Sequence, residues 1–389
     1  MSGPLRVATL ITRLEGGAGI LALRGALALD RREFQTVLIT GLVNGGGDQQ
    51  LEQARAAGLE VILEPALRAP IDPRRDTAAL RSLSALLSQR RFDVVHTHTA
   101  KAGALGRIAA RRAGVPRVIH TYHGFPFHEF QSRLRRAGYI ALERRLGRIT
   151  DVALCVGTGV AVEAIRRGLV SPERIRTIGV AVLDGPPRDP GSRDRARRAL
   201  GIAPGATVVG AVGRLTYQKA PEDLLAAMRV LTRLRGLGGA RRPDVIGVWV
   251  GGGELAGRVA RLARSASQPL VVLAGERADI PEILPAFDVF ALPSRYEGLP
   301  TAVVEAMVCG IPVVATAVNA VSDVVVPGET GLLIPPQRPD LLAEAVCYLL
   351  DHPDAAARMA ASARDRLGAR FHVTTLRGAL VAAYTGREY

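Results

Sequence analysis

Two acidic side chains, Glu297 and Glu305, lie with seven residues between them in SRYEGLPTAVVEAMVCGIPVV, residues 294–314. The strand-like DVFALPS precedes the first acid, RYEG is a turn, and an apolar helix then runs to about Cys309. Pro300 suits the first position of that helix. The second acid therefore falls in a segment that we expect to be buried, where a carboxylate needs a hydroxyl or a cation as its partner.

The start of this helix predicts an anion site. The backbone N–H groups around Gly298–Thr301 have no partner within the helix, and the helix dipole makes this end positive. The carboxylates would repel a naked phosphate, whereas each can accept hydrogen bonds from a sugar. The pattern therefore favours a ligand that combines phosphate with sugar hydroxyls.

Two cations are placed to balance such a phosphate. In VVGAVGRLTYQKAPEDLL, Arg214 follows a strand and a glycine turn, and Lys219 comes five residues later. Arginine can contact two phosphate oxygens at once, and lysine adds a point charge. Either alone is consistent with a solvated loop charge, but their position after a buried strand favours phosphate. No D-x-D or similar acidic pair accompanies them, so we expect no metal and no cofactor.

The first half of the chain contributes a glycine-rich turn. EGGAGILALRGALAL places Gly16 and Gly17 between the first strand and the first helix, where a ligand can approach the backbone. The spacing is not G-x-G-x-x-G, and no acid follows at the dinucleotide distance. These two departures disfavour hydride chemistry with NAD.

Histidines follow two neighbouring strands of the first half. His96 and His98 end one strand, and the next is followed by His120, His123 and His128. A zinc site is an alternative, but no cysteine or paired acid completes its ligand shell. We expect instead hydrogen bonds to a polar substrate, with one or two of these histidines being structural.

These residues must be positioned by alternating strands and helices. Short β-branched runs alternate with Ala/Leu/Arg-rich stretches, as in LRVATLI, DVVHTH, TVVGAVG, VIGVWVG and DVFALPS. Nearly all-apolar strands indicate parallel sheets covered by helices on both faces. The Pro/Gly-rich LDGPPRDPGSRDRARRALG marks a linker near residues 184–192. We predict an α/β fold of two doubly wound domains whose strand ends face a cleft, where ligands bind.

Composition is that of a globular protein with a basic first half. The 389 residues are 48% apolar and 22% charged, with a net charge of +15. The first 190 residues hold 28 basic against 17 acidic side chains, which indicates an anionic partner or a bias toward arginine, since 49 of 51 basic residues are Arg. Three distant cysteines indicate reduced packing residues, and no apolar run has the length of a membrane span. We expect a cytoplasmic protein that does not bind nucleic acid.

In order along the chain, the motifs resemble those of the GT-B glycosyltransferases of family four. They are GGAG, DVVHTHTAKAGALGRIAARRAGVP, IHTYHGF, GRLTYQK, GGGEL and SRYEGLPTAVVEAMVCGIPVVAT. The match spans nearly the whole chain, and E-x7-E is its most specific element. The resemblance implies a retaining enzyme that moves a sugar from a UDP- or GDP-sugar to a hydroxyl acceptor in the synthesis of cell-surface polysaccharide or another glycoconjugate.

The resemblance also implies a domain arrangement. A Rossmann-like acceptor-binding domain would span residues 1–184, and a Rossmann-like nucleotide-sugar-binding domain residues 185–368. The C-terminal helix in residues 369–389 would cross back to the first domain.

The resemblance further implies a role for individual residues. Glu305 would accept the ribose hydroxyls, Glu297 would face the transferred sugar, and His123 would lie near the reactive face of that sugar. We assign His98 and Lys101, in HTHTAK, to the acceptor side. The remaining donor-binding residues would be Gly16, Gly17, Arg214, Lys219, Gly275, Arg277, Gly298, Leu299, Pro300 and Thr301.

Catalysis in such an enzyme needs no evident general base. In the front-face mechanism suggested for the family, the departing phosphate oxygen takes the proton of the acceptor, and the protein positions groups and stabilises charge. The sequence departs from the family pattern at two places. QKA lacks the glycine usual after the lysine, and AVNAVSDVV has Asn319, Ala320 and Asp323 where the family has a glycine pair and an acid.

Membrane contact and two other activities remain open from the sequence. The basic helix of residues 131–149 could rest on an anionic membrane and reach a lipid-linked acceptor, or pack as an ordinary surface helix. A nucleotide-sugar epimerase or hydrolase of the same fold is an alternative activity. A non-catalytic nucleotide-sugar-binding protein is the other, although the intact acids and cations argue against it.

Overall fold

The structure is a computed structural model that describes residues 3–42, 48–128, 131–179, 181–182, 188–236, 244–263, 270–367 and 370–387. The chain divides into two compact units. The first unit comprises residues 1–181 together with 372–389, and the second comprises residues 182–371. The second unit is therefore continuous in sequence, whereas the first is completed by the C-terminal segment.

The first unit is built around a parallel seven-stranded sheet with strand order β3-β2-β1-β4-β5-β6-β7. Its strands are β1 (Leu5–Ile11), β2 (Phe34–Thr40), β3 (Glu60–Leu63), β4 (Val94–His98), β5 (Arg117–Tyr122), β6 (Val152–Cys155) and β7 (Ile175–Thr177). Its helices are α1 (Gly16–Ala28), α2 (Asp48–Ala56), α3 (Pro73–Arg90), α4 (Ala100–Arg112), α5 (Arg133–Arg148) and α6 (Thr158–Arg166), and α14 (Val373–Thr385) also belongs to it.

Both faces of this sheet carry buried apolar side chains, as expected for a parallel sheet covered by helices. On β2, Val37 and Ile39 pack into a cluster with α3 and α4, whereas Leu38 packs on the other side with α1 and α2. Helix α14 lies against α1, where the side chain of Leu380 closely approaches Gly25.

The second unit holds a parallel six-stranded sheet with strand order β10-β9-β8-β11-β12-β13. Its strands are β8 (Thr207–Val212), β9 (Val245–Val250), β10 (Val271–Leu273), β11 (Val289–Leu292), β12 (Val313–Thr316) and β13 (Leu332–Ile334). Its helices are α7 (Pro190–Ala199), α8 (Pro221–Gly236), α9 (Ala256–Ala263), α10 (Ile280–Ile283), α11 (Thr301–Val308), α12 (Pro339–Asp351) and α13 (Pro353–Leu367).

The expected fold class of two doubly wound α/β domains is confirmed, and three details differ from expectation. Short strand β7 was not predicted, because three residues carry no periodic pattern. The predicted linker near 184–192 lies partly outside the described residues, and its end is helical because Asp189 forms a capping box with Ser192. Pro300 precedes the first helical residue, Thr301, rather than occupying that position.

In the described ranges, no helix is both long enough and apolar enough to cross a membrane.

Candidate active site

The loops that follow three neighbouring strands of the second unit carry the predicted site residues at one edge of the sheet. β8, β11 and β12 are adjacent and parallel, so their carboxyl ends lie side by side. The loop after β8 carries Arg214 and Lys219, the loop after β11 carries Glu297, and Asn319 follows β12. Residues distant in sequence are thereby gathered outside the carboxyl ends, the usual ligand site of such sheets.

Glu297 is the buried acid of this site, with only 7% of its surface exposed. Its Oε1 lies 2.5 Å from the Lys219 Nζ, and it accepts a hydrogen bond of 2.5 Å from the Ser294 hydroxyl. Ser294 is itself fixed, because its carbonyl accepts a hydrogen bond from the Thr316 hydroxyl at 2.6 Å. A buried carboxylate is tolerable with a cation and a donor on it.

The backbone of Glu297 is held by a residue that was not predicted to be in the site. The Glu297 N–H donates to the Asn319 Oδ1 at 3.0 Å. Asn319 has a φ of 44°, in the left-handed region that asparagine tolerates better than most residues. The sequence did carry a signal for this position, because the family pattern has a glycine where this chain has Asn319. Glycine also adopts a left-handed backbone readily.

Hydrogen bonds and close packing join the turn that carries Arg214 to the GGGEL loop and its preceding strand, with GGGEL at residues 251–255. The indole N–H of Trp249, on β9, donates to the Gly213 carbonyl at 2.8 Å. A Cβ on Gly251 would lie 2.2 Å from the same carbonyl oxygen, so only glycine allows this approach. The Leu215 N–H also donates to the Gly252 carbonyl at 2.7 Å. Trp249 was not predicted to be part of the site, because nothing in its sequence surroundings reveals this contact.

A second arginine joins the loops after β8 and β11. Arg295 lies with its guanidinium 4.4 Å from the ring centre of Tyr217, donates to the Tyr217 carbonyl and reaches Asp223 at 3.4 Å. Its backbone N–H donates to the Gln218 carbonyl at 2.8 Å. Arg295 therefore stabilises the loop on which Lys219 is carried.

Glu305 was expected to be buried, and this prediction is wrong. It lies on α11, but its side chain is of intermediate exposure, whereas Glu297 in the loop is buried. The helix α11 begins at Thr301, after Gly298, Leu299 and Pro300, as predicted to within one residue.

The loop after β10 contains the residues expected to meet the base. The Gly275 carbonyl accepts from the Gly251 N–H at 2.7 Å, which ties this loop to GGGEL. Arg277 pairs with Asp279, with the Arg277 NH2 2.5 Å from the Asp279 Oδ2. The same pairing raises the pKa of Arg277 and lowers that of Asp279.

The remaining predicted residues belong to the first unit. Gly16 and Gly17 begin α1 and are exposed. His98 Nδ1 lies 2.9 Å from His123 Nε2, so these two histidines form a hydrogen-bonded pair. Lys101 is bound to the Asp76 carboxylate at 2.6 Å and to a backbone carbonyl, which leaves its charge compensated.

The other two histidines of these strands are structural. His96 Nδ1 is 2.7 Å from the Tyr384 hydroxyl of α14, and its Nε2 is 2.6 Å from the Thr121 hydroxyl. His120 Nδ1 is 2.9 Å from the Thr97 hydroxyl. His128, which was also singled out, is partly buried near the end of the loop after β5.

Burial keeps the cluster of four histidines neutral. Desolvation lowers the pKa of His123 to about 4, and desolvation with the nearby His123 lowers that of His96 to about 3. Desolvation also lowers the pKa of His98 and His120 well below its usual value. At neutral pH, one ring of the His98–His123 pair therefore donates to the other, and the two remaining ring nitrogens carry one N–H and one lone pair between them. Over the described ranges, no cluster of three or more His, Cys, Asp or Glu side chains is arranged to hold a metal ion.

Both halves of the chain match known families. Residues 15–184 match the family described as Glycosyltransferase Family 4, and residues 192–366 match the family described as Glycosyl transferases group 1.

Curated relatives lie at about one third identity. The chain is 35% identical over 259 residues to the UDP-Gal:alpha-D-GlcNAc-diphosphoundecaprenol alpha-1,3-galactosyltransferase of Escherichia coli, covering 66% of the chain and 65% of that relative. It is 30% identical over 318 residues to the alpha-maltose-1-phosphate synthase of Mycolicibacterium smegmatis, covering 75% of the chain and 80% of that relative.

Solved structures share the fold at lower identity. Anabaena HepE in complex with UDP and glucose aligns over 98% of this chain and 100% of its own, with a TM-score of 0.78 and 22% identity. WaaG, a glycosyltransferase involved in lipopolysaccharide biosynthesis, aligns over 98% and 100%, with a TM-score of 0.75 and 17% identity. The chain therefore belongs to family 4 of the glycosyltransferases and has their GT-B fold of two Rossmann-like domains.

Proposed function

We propose that this glycosyltransferase transfers a sugar, with retention of configuration, from a UDP- or GDP-sugar to a hydroxyl acceptor in the synthesis of cell-surface polysaccharide or another glycoconjugate. The observation that carries the proposal is the cluster of Lys219, Ser294 and Glu297 at the carboxyl edge of the second sheet. Beyond their own ion pair, the lysine ammonium can donate to a phosphate oxygen and the carboxylate can accept from a sugar hydroxyl, as a sugar diphosphate requires.

The diphosphate would bind to cations and to a helix start. Arg214 is exposed at the turn after β8, and Lys219 follows in the same loop. The N-terminus of α11 adds backbone N–H groups with the favourable end of the helix dipole. Because these groups supply positive charge without a divalent ion, we propose metal-independent transfer.

The two acids would bind different hydroxyl groups of the donor. Glu305, partly exposed on α11, would accept from the ribose, and Glu297 would accept from the transferred sugar.

In the retaining step, the bond between the anomeric carbon and the phosphate oxygen breaks, and the acceptor oxygen bonds to that carbon on the same face. The leaving phosphate oxygen takes the acceptor proton, while Arg214 and Lys219 stabilise its developing charge. His123, neutral at pH 7, would hydrogen-bond the donor sugar rather than carry a charge.

The names of relatives support the substrate class without deciding the donor. One relative is named for UDP-Gal and alpha-D-GlcNAc-diphosphoundecaprenol. Another, from Corynebacterium glutamicum and 29% identical over 337 residues, is named as a GDP-mannose-dependent monoacylated alpha-(1-6)-phosphatidylinositol monomannoside mannosyltransferase. Both act on lipid-linked acceptors. We propose a lipid-linked acceptor here as well, with the enzyme cytoplasmic and peripheral at the inner face of the membrane.

Helix α5 is the surface that we propose meets the lipid. A fully buried Arg107 on α4 pairs with the buried Glu143 of α5 at 2.9 Å, which anchors the inner face of the helix. On the outer face Leu134 is 86% exposed. The exposed arginines of α5 are Arg133, Arg135, Arg144, Arg145 and Arg148. Basic side chains with a protruding leucine suit an anionic interface.

Sedimentation with vesicles tests the membrane contact. Arg145→Glu with Leu134→Glu should abolish binding to phosphatidylglycerol-containing vesicles, and phosphatidylcholine vesicles should not bind the wild type. Arg81→Glu, an exposed change on α3 of the same unit, is the matched control. Equal binding of the double variant and the wild type would exclude α5 as the contact.

A donor panel tests the function. With UDP- and GDP-sugars and lipid-diphosphate acceptors, nucleotide release should depend on the acceptor and persist with EDTA. Release without acceptor would indicate a hydrolase, and loss of activity with EDTA would contradict metal independence.

Glu305→Ala should weaken nucleotide binding, and Glu297→Gln should lower turnover more than nucleotide affinity. Wild-type behaviour of both variants would refute the site.

A further inference from the structure

The side chain of Asn319 has a fixed orientation at the carboxyl edge of the second sheet. Its Oδ1 accepts from the Glu297 backbone N–H at 3.0 Å. A backbone N–H can only donate, so the atom facing it must be the amide oxygen, and the assignment of oxygen and nitrogen is settled by chemistry. The Nδ2 group therefore points away from that N–H.

This Nδ2 group is available to a ligand. Asn319 is an exposed residue, and among the described residues none accepts a hydrogen bond from its Nδ2. Asn319 is bound to the backbone of Glu297, and the Glu297 carboxylate is held in place by Lys219 and Ser294. A residue with an amide donor is therefore hydrogen-bonded to the backbone of a residue whose carboxylate can accept.

Such a pair matches a sugar hydroxyl. A hydroxyl has one proton to donate and lone pairs to accept, so it can give its proton to Glu297 and receive an N–H from Asn319. Phosphate oxygens only accept, and would be repelled by Glu297. Resting on the proposed function, we propose that Asn319 is a specificity-determining residue whose Nδ2 donates to a hydroxyl of the transferred sugar.

The consequence is discrimination between epimers. Where the hydroxyl has the other orientation, the Asn319 amide loses its partner while Glu297 stays buried, and the donor is disfavoured. A glycine at this position, as in the family pattern, would lack this contact. The residue therefore distinguishes the donor preference of this chain from that of relatives with glycine.

Asn319→Gly tests the inference, because glycine keeps the left-handed backbone and removes the amide. Binding of UDP, GDP, UDP-galactose, UDP-glucose and GDP-mannose should be measured together with kcat/KM for each sugar donor. Gln337→Gly is the matched control, since Gln337 is an exposed amide residue with a φ of 60° in the same unit. Thermal melting checks that both variants are folded.

The expected result is a selective loss. In Asn319→Gly, the preferred sugar donor should lose about 3- to 10-fold in affinity and in kcat/KM, as for one hydrogen bond, and its advantage over its epimer should shrink. Affinity for the free nucleotide and the Gln337→Gly control should be unchanged.

Two results would overturn the inference. An equal fall in kcat/KM for every donor, with unchanged ranking, would mean that Asn319 only positions Glu297. If Asn319→Gly kept the donor selectivity of the wild type, Asn319 would have no role in donor specificity. Failure of the wild type to bind any of these nucleotides would instead refute the proposed function itself.

Discussion

Three buried histidines and the partly buried His123 should make the first unit sensitive to mild acid. The folded pKa is about 4 for His123 and about 3 for His96, both below the ordinary value of 6.5. Between those values and 6.5 the unfolded chain binds protons that the folded protein does not. The stability contributed by the neutral rings is therefore complete above pH 6.5 and is lost as the pH falls toward 4.

The size of the effect follows from the pKa difference. Each pH unit below 6.5 costs about 1.4 kcal/mol per histidine, so at pH 5 each such ring removes about 2 kcal/mol. His96 and His123 together remove about 4 kcal/mol, and His98 and His120 act in the same direction. A domain is commonly stable by about 5–15 kcal/mol, so unfolding should begin above the pH at which most carboxylates protonate.

Urea titrations between pH 8 and pH 5 measure this loss. Far-UV circular dichroism follows both units, while Trp249, the one tryptophan of the chain, reports by fluorescence on the second unit. His96→Gln should cost stability at pH 8 but reduce the pH slope by about 1.2 kcal/mol per unit near pH 5.5, because one site no longer titrates.

His352→Gln is the control for this prediction, because His352 is exposed and lies in the second unit. The slope of that variant should equal that of the wild type. A wild-type stability that is the same at pH 5 and pH 8, or a slope unchanged in His96→Gln, would refute the argument from desolvation.

Two further substitutions probe buried polar contacts. Trp249→Phe removes the N–H that holds the Gly213 carbonyl, so the affinity for UDP or GDP should fall by about 3- to 10-fold in equilibrium dialysis; unchanged affinity would mean that the turn needs no such support. Glu143→Gln leaves the fully buried Arg107 without its counter-charge, so the free energy of unfolding should drop by about 3–5 kcal/mol in urea titrations. A drop below about 1 kcal/mol would contradict the view of Glu143 as the required partner.

The fold could be predicted from the sequence because a strand that is buried on both faces has a continuous apolar sequence. Strands such as β8 and β11 are continuous apolar runs, and their parallel order brings the following loops together without further information. The location of Arg214, Lys219 and Glu297 at one edge follows from that order alone.

The contacts within the site could not be predicted in the same way. Lys219 and Glu297 are 78 positions apart, and no spacing rule pairs them. The relative burial of the two acids was reversed because Glu297 gains a lysine and a serine as partners, whereas Glu305 lies on a partly exposed position of α11. The role of His96 was likewise ambiguous from the sequence, because its partner Tyr384 on α14 lies 288 positions away.

The division of the first unit has a consequence for the order in which the chain can fold during synthesis. Residues 182–371 form a continuous unit that can fold once it has left the ribosome. The Tyr384 partner of His96 and the helix that packs on α1 arrive only about 200 residues after the rest of the first unit. At about 5–20 residues per second, the earlier-made unit waits about 10–40 s for its last helix. The unit whose sheet is translated earlier is thus completed after the unit that follows it in the chain.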